Sequence, residues 1–130
     1  MELVGGIQRM EHAISTPVWD PAWRPGVSRA VAQLKAAFAE HVDRTEGPSG
    51  LYAGVLDDAP RLARHFSGLV DDHETVQSAL DELEDRLDAA HDHEVVRWEA
   101  AQLIRAVWAH RQRAADLLYE AYETDLGGET

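Results

Sequence analysis

Apolar residues recur along this chain at alternating steps of four and three, the spacing of one helix face. A first seam runs Val27, Val31, Leu34, Phe38, His41, Thr45. A second runs Leu62, Phe66, Leu69, His73, Val76, Leu80, Leu83, Leu87. A third runs Val96, Ala100, Leu103, Val107, His110, Ala114, Leu117, Ala121. Glycine and proline punctuate these tracts at Pro17–Gly26 (PVWDPAWRPG) and at Gly47–Gly50 (GPSG). A further break is DDAP, where Asp57 or Asp58 can cap a helix and Pro60 suits its first turn. Beyond Pro60 and as far as Asp125, Gly68 is the one glycine and proline is absent. The polar patch His91-Asp92-His93 is the only turn signal in that tract. Residues 1–14 allow a short helix with Val4, Ile7 and Ile14 on one side, and Gly127-Gly128 stops the last one. No alternating strand pattern persists. The expectation is an all-α, antiparallel up-down helical bundle with a Pro-rich N-terminal segment, its core lined by the three seams.

Composition narrows the partners. With 130 residues, 45% of them hydrophobic, the chain suits one domain spanning 1–130 with a real core. Asp plus Glu number 24 against 12 for Lys plus Arg, a net charge of -12. That balance argues against nucleic acid and against anionic membrane surfaces, both of which need clustered cations. Cysteine is absent, which removes disulfides, thiolate metal sites and Cys nucleophiles. No run is long and apolar enough for a membrane span, and the acidic start MELVGGIQRMEH does not read as a signal peptide. A cytoplasmic protein is the expectation. The serines show no nucleophile-elbow motif, and GPSG lacks the lysine of a phosphate loop.

The candidate chemistry lies in the seams. Each carries one histidine, His41, His73 or His110, at a position where the pattern calls for an apolar residue. A buried imidazole costs free energy unless its nitrogens find partners. Residues on consecutive antiparallel helices lie level when the turn falls midway between them. The midpoint of His73 and His110 falls in the His91-Asp92-His93 patch, and that of His41 and His73 falls at DDAP. The latter requires Leu51–Leu56 to extend the first helix past GPSG. The midpoint of His12 and His41 falls at Pro25-Gly26. Four imidazoles thus converge on one layer, a donor set for a first-row metal. Glu46 is the best-placed carboxylate, because GPSG can unwind the helix and swing it inward; Glu11, Glu74 and Glu120 stand behind it. His65 flanks the layer, and His91 and His93 are expected in solvent.

The residues resemble the hemerythrin-like (HHE cation-binding) family. The carriers are His12, the segment HVDRTEGPSGLY with His41 and Glu46, the segment LVDDHETVQSALDEL with His73, and His110. The resemblance implies a four-helix bundle with a buried non-haem iron site of one or two ions, other first-row divalent metals being alternatives. It further implies an oxygen, redox or iron-sensing role with O2 or peroxide as ligand. The implied ligands are His12, His41, Glu46, His73 and His110. The chain departs from the two-iron pattern. Thr45 stands where the family has Glu, Gln77 replaces a further His, and Ala114 and Ala115 replace the acid after the last His. The alternative reading is a metal-free helical interaction module, dimeric, with structural core histidines; a small iron oxidase or peroxidase is a third. Trp19 and Trp23 are expected to pin a non-helical arm to the bundle. Trp98 and Trp108 are expected in the core or at a homodimer face, and Tyr119 and Tyr122 on a second apolar strip of the last helix.

Overall fold

The computed structural model describes residues 2–89 and 92–122. Its described residues form an all-helical bundle: α1 (Leu3–Ser15), α2 (Trp23–Thr45), the short α3 (Leu51–Asp58), α4 (Ala63–Asp88) and α5 (His93–Glu120). A 3₁₀ turn, Pro60–Leu62, leads into α4. Every residue of the three seams is buried except His41, which is half-buried. The 4-3 pattern therefore identifies the inner face of each long helix to the residue. α1 adds Ile7 and Met10, both fully buried, while Val4 and Ile14 sit at its edge. Gly6 lets α1 approach α2 closely: a Cβ there would lie 3.3 Å from Leu34 Cδ1.

Polar contacts tie the helices across the bundle. Lys35 on α2 reaches Asp81 and Glu84 on α4, each at 2.8 Å. Arg86 on α4 meets Glu99 on α5 at 2.7 Å, and Arg61 meets Glu120 at 3.4 Å. The Trp108 indole on α5 donates to Glu11 on α1 at 3.3 Å.

Several local expectations change. The proline-rich stretch ends sooner, because Trp23, Arg24, Pro25 and Gly26 already belong to α2. Proline is tolerated in a first turn, where its missing N–H has no helical partner to lose. Trp23 is thus a core residue of a helix, and Trp19 is 80% exposed and pins nothing. Leu51–Leu56 does not prolong α2; it lies in the separate α3. Neither Asp57 nor Asp58 caps α4, whose N-cap position is Leu62. Asp92 does cap α5, its side chain accepting from the Glu94 N–H at 2.8 Å. His93 is not in solvent. It is half-buried, its Nδ1–H donates to the Val18 carbonyl at 2.9 Å, and its ring stacks on Trp23 at 5.2 Å. Trp98 is 65% exposed, and Tyr119 and Tyr122 also face outward. His91 and the Gly127-Gly128 stop lie outside the described residues.

The core has two apolar parts. The larger joins α1, α2, α4 and α5 from Ile7 and Trp23 through Phe38, Val76 and Val107. The smaller holds Tyr52, Val55, Phe66, Leu69, Ala114 and Leu117. In α4, His73 stands between Leu69 of one part and Val76 of the other. In α5, His110 stands between Val107 and Ala114 in the same way.

Candidate metal centre

Three helices each deliver one imidazole to the layer between the two apolar parts. His41 comes from α2, His73 from α4 and His110 from α5. His73 and His110 are 1% and 0% exposed. One nitrogen from each ring lies within 4.8 Å of the others. The inward atoms are the Nε2 nitrogens: His41 Nε2 is 3.1 Å from His110 Nε2, and His73 Nε2 is 3.2 Å from His110 Nε2. Phe38 touches all three rings, with centroids at 5.6, 5.6 and 5.8 Å. Tyr52 packs on the opposite part of the core, its ring near-parallel to that of His73 at 6.1 Å. The layer is therefore polar between aromatic walls.

Carboxylates orient two of the rings from behind. Glu46 follows the last residue of α2 in an extended conformation and places its carboxylate on His73 Nδ1. The link that allows this is glycine-dependent. Gly47 has φ +90°, and a Cβ on Gly50 would sit 2.4 Å from the Glu46 carbonyl oxygen. On the other side Asp72 Oδ2 lies 3.2 Å from His110 Nδ1. Arg113 holds that same oxygen through Nη2 at 2.6 Å and Nε at 3.2 Å. Burial alone would raise the Asp72 carboxyl, but Arg113 and then His110 hold it below the ordinary carboxylate range.

These partners fix the protons. A carboxylate only accepts, so Nδ1 of His73 and Nδ1 of His110 each carry hydrogen. In a neutral ring the Nε2 atom is then a bare lone pair. With both rings neutral, His73 Nε2 and His110 Nε2 face one another at 3.2 Å as two acceptors. His41 can donate an Nε2–H to His110 at 3.1 Å, which satisfies one contact and leaves the other. An additional proton would serve, but the surroundings oppose it. Burial, then the charges His110 and His73 would carry, push His41 down to about 4. Burial lowers His110 as well, more than its Asp72 hydrogen bond raises it. His41 and His110 are therefore neutral near pH 7 and can present lone pairs inward.

That is the form in which imidazole binds metal. Nitrogens at about 2.0–2.1 Å from one ion lie roughly 2.8–3.4 Å apart at adjacent octahedral or tetrahedral positions. Two of the three Nε2 separations, 3.1 and 3.2 Å, fall inside that span, while the third is bounded at 4.8 Å, so His41 and His73 would draw together around an ion. Hydrogen-bonding each outer nitrogen to a carboxylate is the usual support of a metal-ligating histidine.

The residues expected at the site divide three ways. His41, His73 and His110 come together as inner donors. Glu46 reaches the site but lies behind His73, on Nδ1, rather than among the inner atoms. His12 does not reach it: its side chain is exposed on α1, on the outer face of that helix rather than the face bearing Ile7 and Met10. His65 is exposed too. Asp72 belongs to the Asp71-Asp72-His73 stretch that carries part of the resemblance but was not expected among the site residues, and Arg113 was not singled out by sequence. Asp72 directly precedes His73, so on a helix it points about 100° away, toward the neighbouring α5. That offset was the available signal. Set against known proteins, the chain matches no family model, no curated protein and no solved structure.

Proposed function

We propose that this protein binds a single first-row metal ion, non-haem iron first among them, on Nε2 of His41, His73 and His110. The carrying observation is the pair of inward-facing Nε2 nitrogens on His73 and His110, held 3.2 Å apart in an apolar surround while carboxylates take both Nδ1 atoms. A cation between them removes the lone-pair repulsion that a neutral trio retains. Three nitrogen donors without sulfur suit iron, zinc, manganese or cobalt. Glu46 and Asp72 offset the ion's charge from behind their histidines, so no carboxylate needs to enter the inner set. A three-nitrogen set leaves positions open for water, O2 or peroxide, which fits an oxygen, redox or iron-sensing role.

The cross-bundle pairs support an antiparallel up-down arrangement of the hemerythrin-like kind. Lys35 with Asp81, His41 with His73 and Arg24 with Leu87 run in opposite chain order on α2 and α4. The bundle falls short of a two-iron centre in its donors. His12 is remote and Glu46 is committed to His73, which favours one ion. No described helix is long and apolar enough to cross a membrane.

Elemental analysis tests the reading. Protein purified from metal-replete, reducing medium is expected to hold about one equivalent of metal, with His73→Ala and His110→Ala each dropping it below about a tenth. Less than a tenth of an equivalent in the unaltered protein, unchanged by His73→Ala and by adding iron(II) or zinc, overturns it. The metal-free interaction module then stands in its place.

A further inference from the structure

From the groove between α1 and α2 we infer a second binding site, for a small multiply charged oxyanion of phosphate or dicarboxylate chemistry. Its volume is about 690 Å³, enough for a small metabolite, and Arg9, His12, Arg29 and Gln33 line it together with Trp23. Arg9 and His12 lie three apart on α1, and Arg29 and Gln33 four apart on α2, so each pair shares one helix face. Arg9 Nη1 reaches Gln33 Oε1 at 3.5 Å, which brings the two faces together. Two guanidiniums, an imidazole and an amide therefore converge on one groove.

Neither guanidinium is taken up by a carboxylate. The chain carries 24 acidic residues against 12 basic ones, so a cation has carboxylates in excess. Lys35, Arg44, Arg61, Arg86, Arg97 and Arg113 each meet one. Among the described residues Arg9 and Arg29 meet none within 4.0 Å; Arg64, Arg105 and Arg111 meet none either, but Arg9 and Arg29 share one groove. The one carboxylate on the groove, Asp20, accepts from the Ala22 N–H at 2.8 Å instead. Guanidinium forks match planar and tetrahedral oxyanions with paired hydrogen bonds, and two forks from facing helices suit two acidic oxygens or two acidic groups. The site contains none of the three inner histidines, so it stands independently of the metal reading.

The test is calorimetric titration of the full chain with sodium phosphate and, separately, with succinate, at fixed ionic strength set by chloride. At least one anion is expected to bind saturably with a Kd below about 1 mM. Phosphate alone identifies a phosphoryl ligand, succinate alone a dicarboxylate, and both together a general oxyanion site. Arg9→Gln and Arg29→Gln are each expected to weaken binding about tenfold or more. Arg64→Gln, an exposed arginine on α4 outside the groove, is expected to leave it unchanged. These positions are on the surface, and circular dichroism verifies that the variants fold. Amide shifts should cluster on residues 5–13 and 26–33. No saturation below about 10 mM for either anion overturns the proposal, as does equal weakening by Arg64→Gln.

Discussion

At the scale of single residues, the carboxylates behind the imidazoles would decide how well the proposed site holds an ion. Glu46 and Asp72 each fix one ring's tautomer, so that the lone pair rather than the N–H points inward. Replacing the carboxylate by its amide keeps an oxygen that can accept from Nδ1–H but removes the charge. Replacing it by alanine removes both. Metal affinity, read by competition with a chromophoric chelator, is thus expected to fall in the order wild type, Glu46→Gln, Glu46→Ala. The alanine loss should be in the range of about 10–100-fold. Asp72→Ala should behave alike, with an added effect, since Arg113 would lose its carboxylate and leave a cation beside His110. Equal affinity in all three Glu46 forms would show that the contact with His73 is incidental.

At the scale of elements, the connection after α2 is where sequence and structure meet least simply. The seams were legible because a strict 4-3 spacing admits only one buried face. The same logic brought His41, His73 and His110 to one depth, since each occupies a seam position. What spacing could not supply was direction off the seam. Asp72 is invisible to a seam-based reading because it sits outside the apolar row and acts by reaching sideways. His12 failed for the converse reason: a plausible height along the bundle does not put a side chain on the inner face of α1. Glu46 lay between these cases, for GPSG does turn it inward, yet to the back of His73. Gly50 is the pivot. Its missing side chain accommodates the carbonyls of Thr45 and Glu46, which a Cβ would meet at 2.6 and 2.4 Å. Gly50→Ala must push α3 from the end of α2, carrying Tyr52 off His73. A loss of about 1–3 kcal/mol in urea unfolding is expected, with metal content reduced in the protein that still folds. Gly54→Ala, where nothing lies within 4 Å of an added Cβ, is the matched control and should be neutral or slightly stabilising.

At the scale of the whole molecule, setting His41 and His110 in the core layer ties stability to pH. In the folded metal-free protein His41 is pushed down to about 4, by burial first and by its imidazole neighbours second. His110 is lowered as well, with burial the main cause. In the unfolded chain both return to about 6.5. Between about pH 6.5 and 4 the unfolded state therefore binds more protons, and stability falls as pH falls through that window. Each such histidine contributes a slope of up to about 1.4 kcal/mol per pH unit. Asp72 acts lower down. Its carboxyl is held below the ordinary value, so its contribution is intact above about pH 4 and is lost only as pH drops through the folded value. Urea midpoints of metal-free protein are thus expected to decline from pH 7 to pH 5, before the Asp72 carboxylate begins to titrate. His41→Leu should flatten that decline, because it removes the histidine with the largest displacement while filling the same seam position. On the proposed metal binding, an ion would compete with protons for the same nitrogens, so metal saturation should raise the midpoint at pH 7 by more than at pH 5. At one hundred times Kd that gain is about 2.7 kcal/mol. A flat midpoint from pH 7 to pH 5 in the metal-free protein would mean that the imidazoles are not held neutral by the core. The case for lone pairs facing one another would then lose its footing.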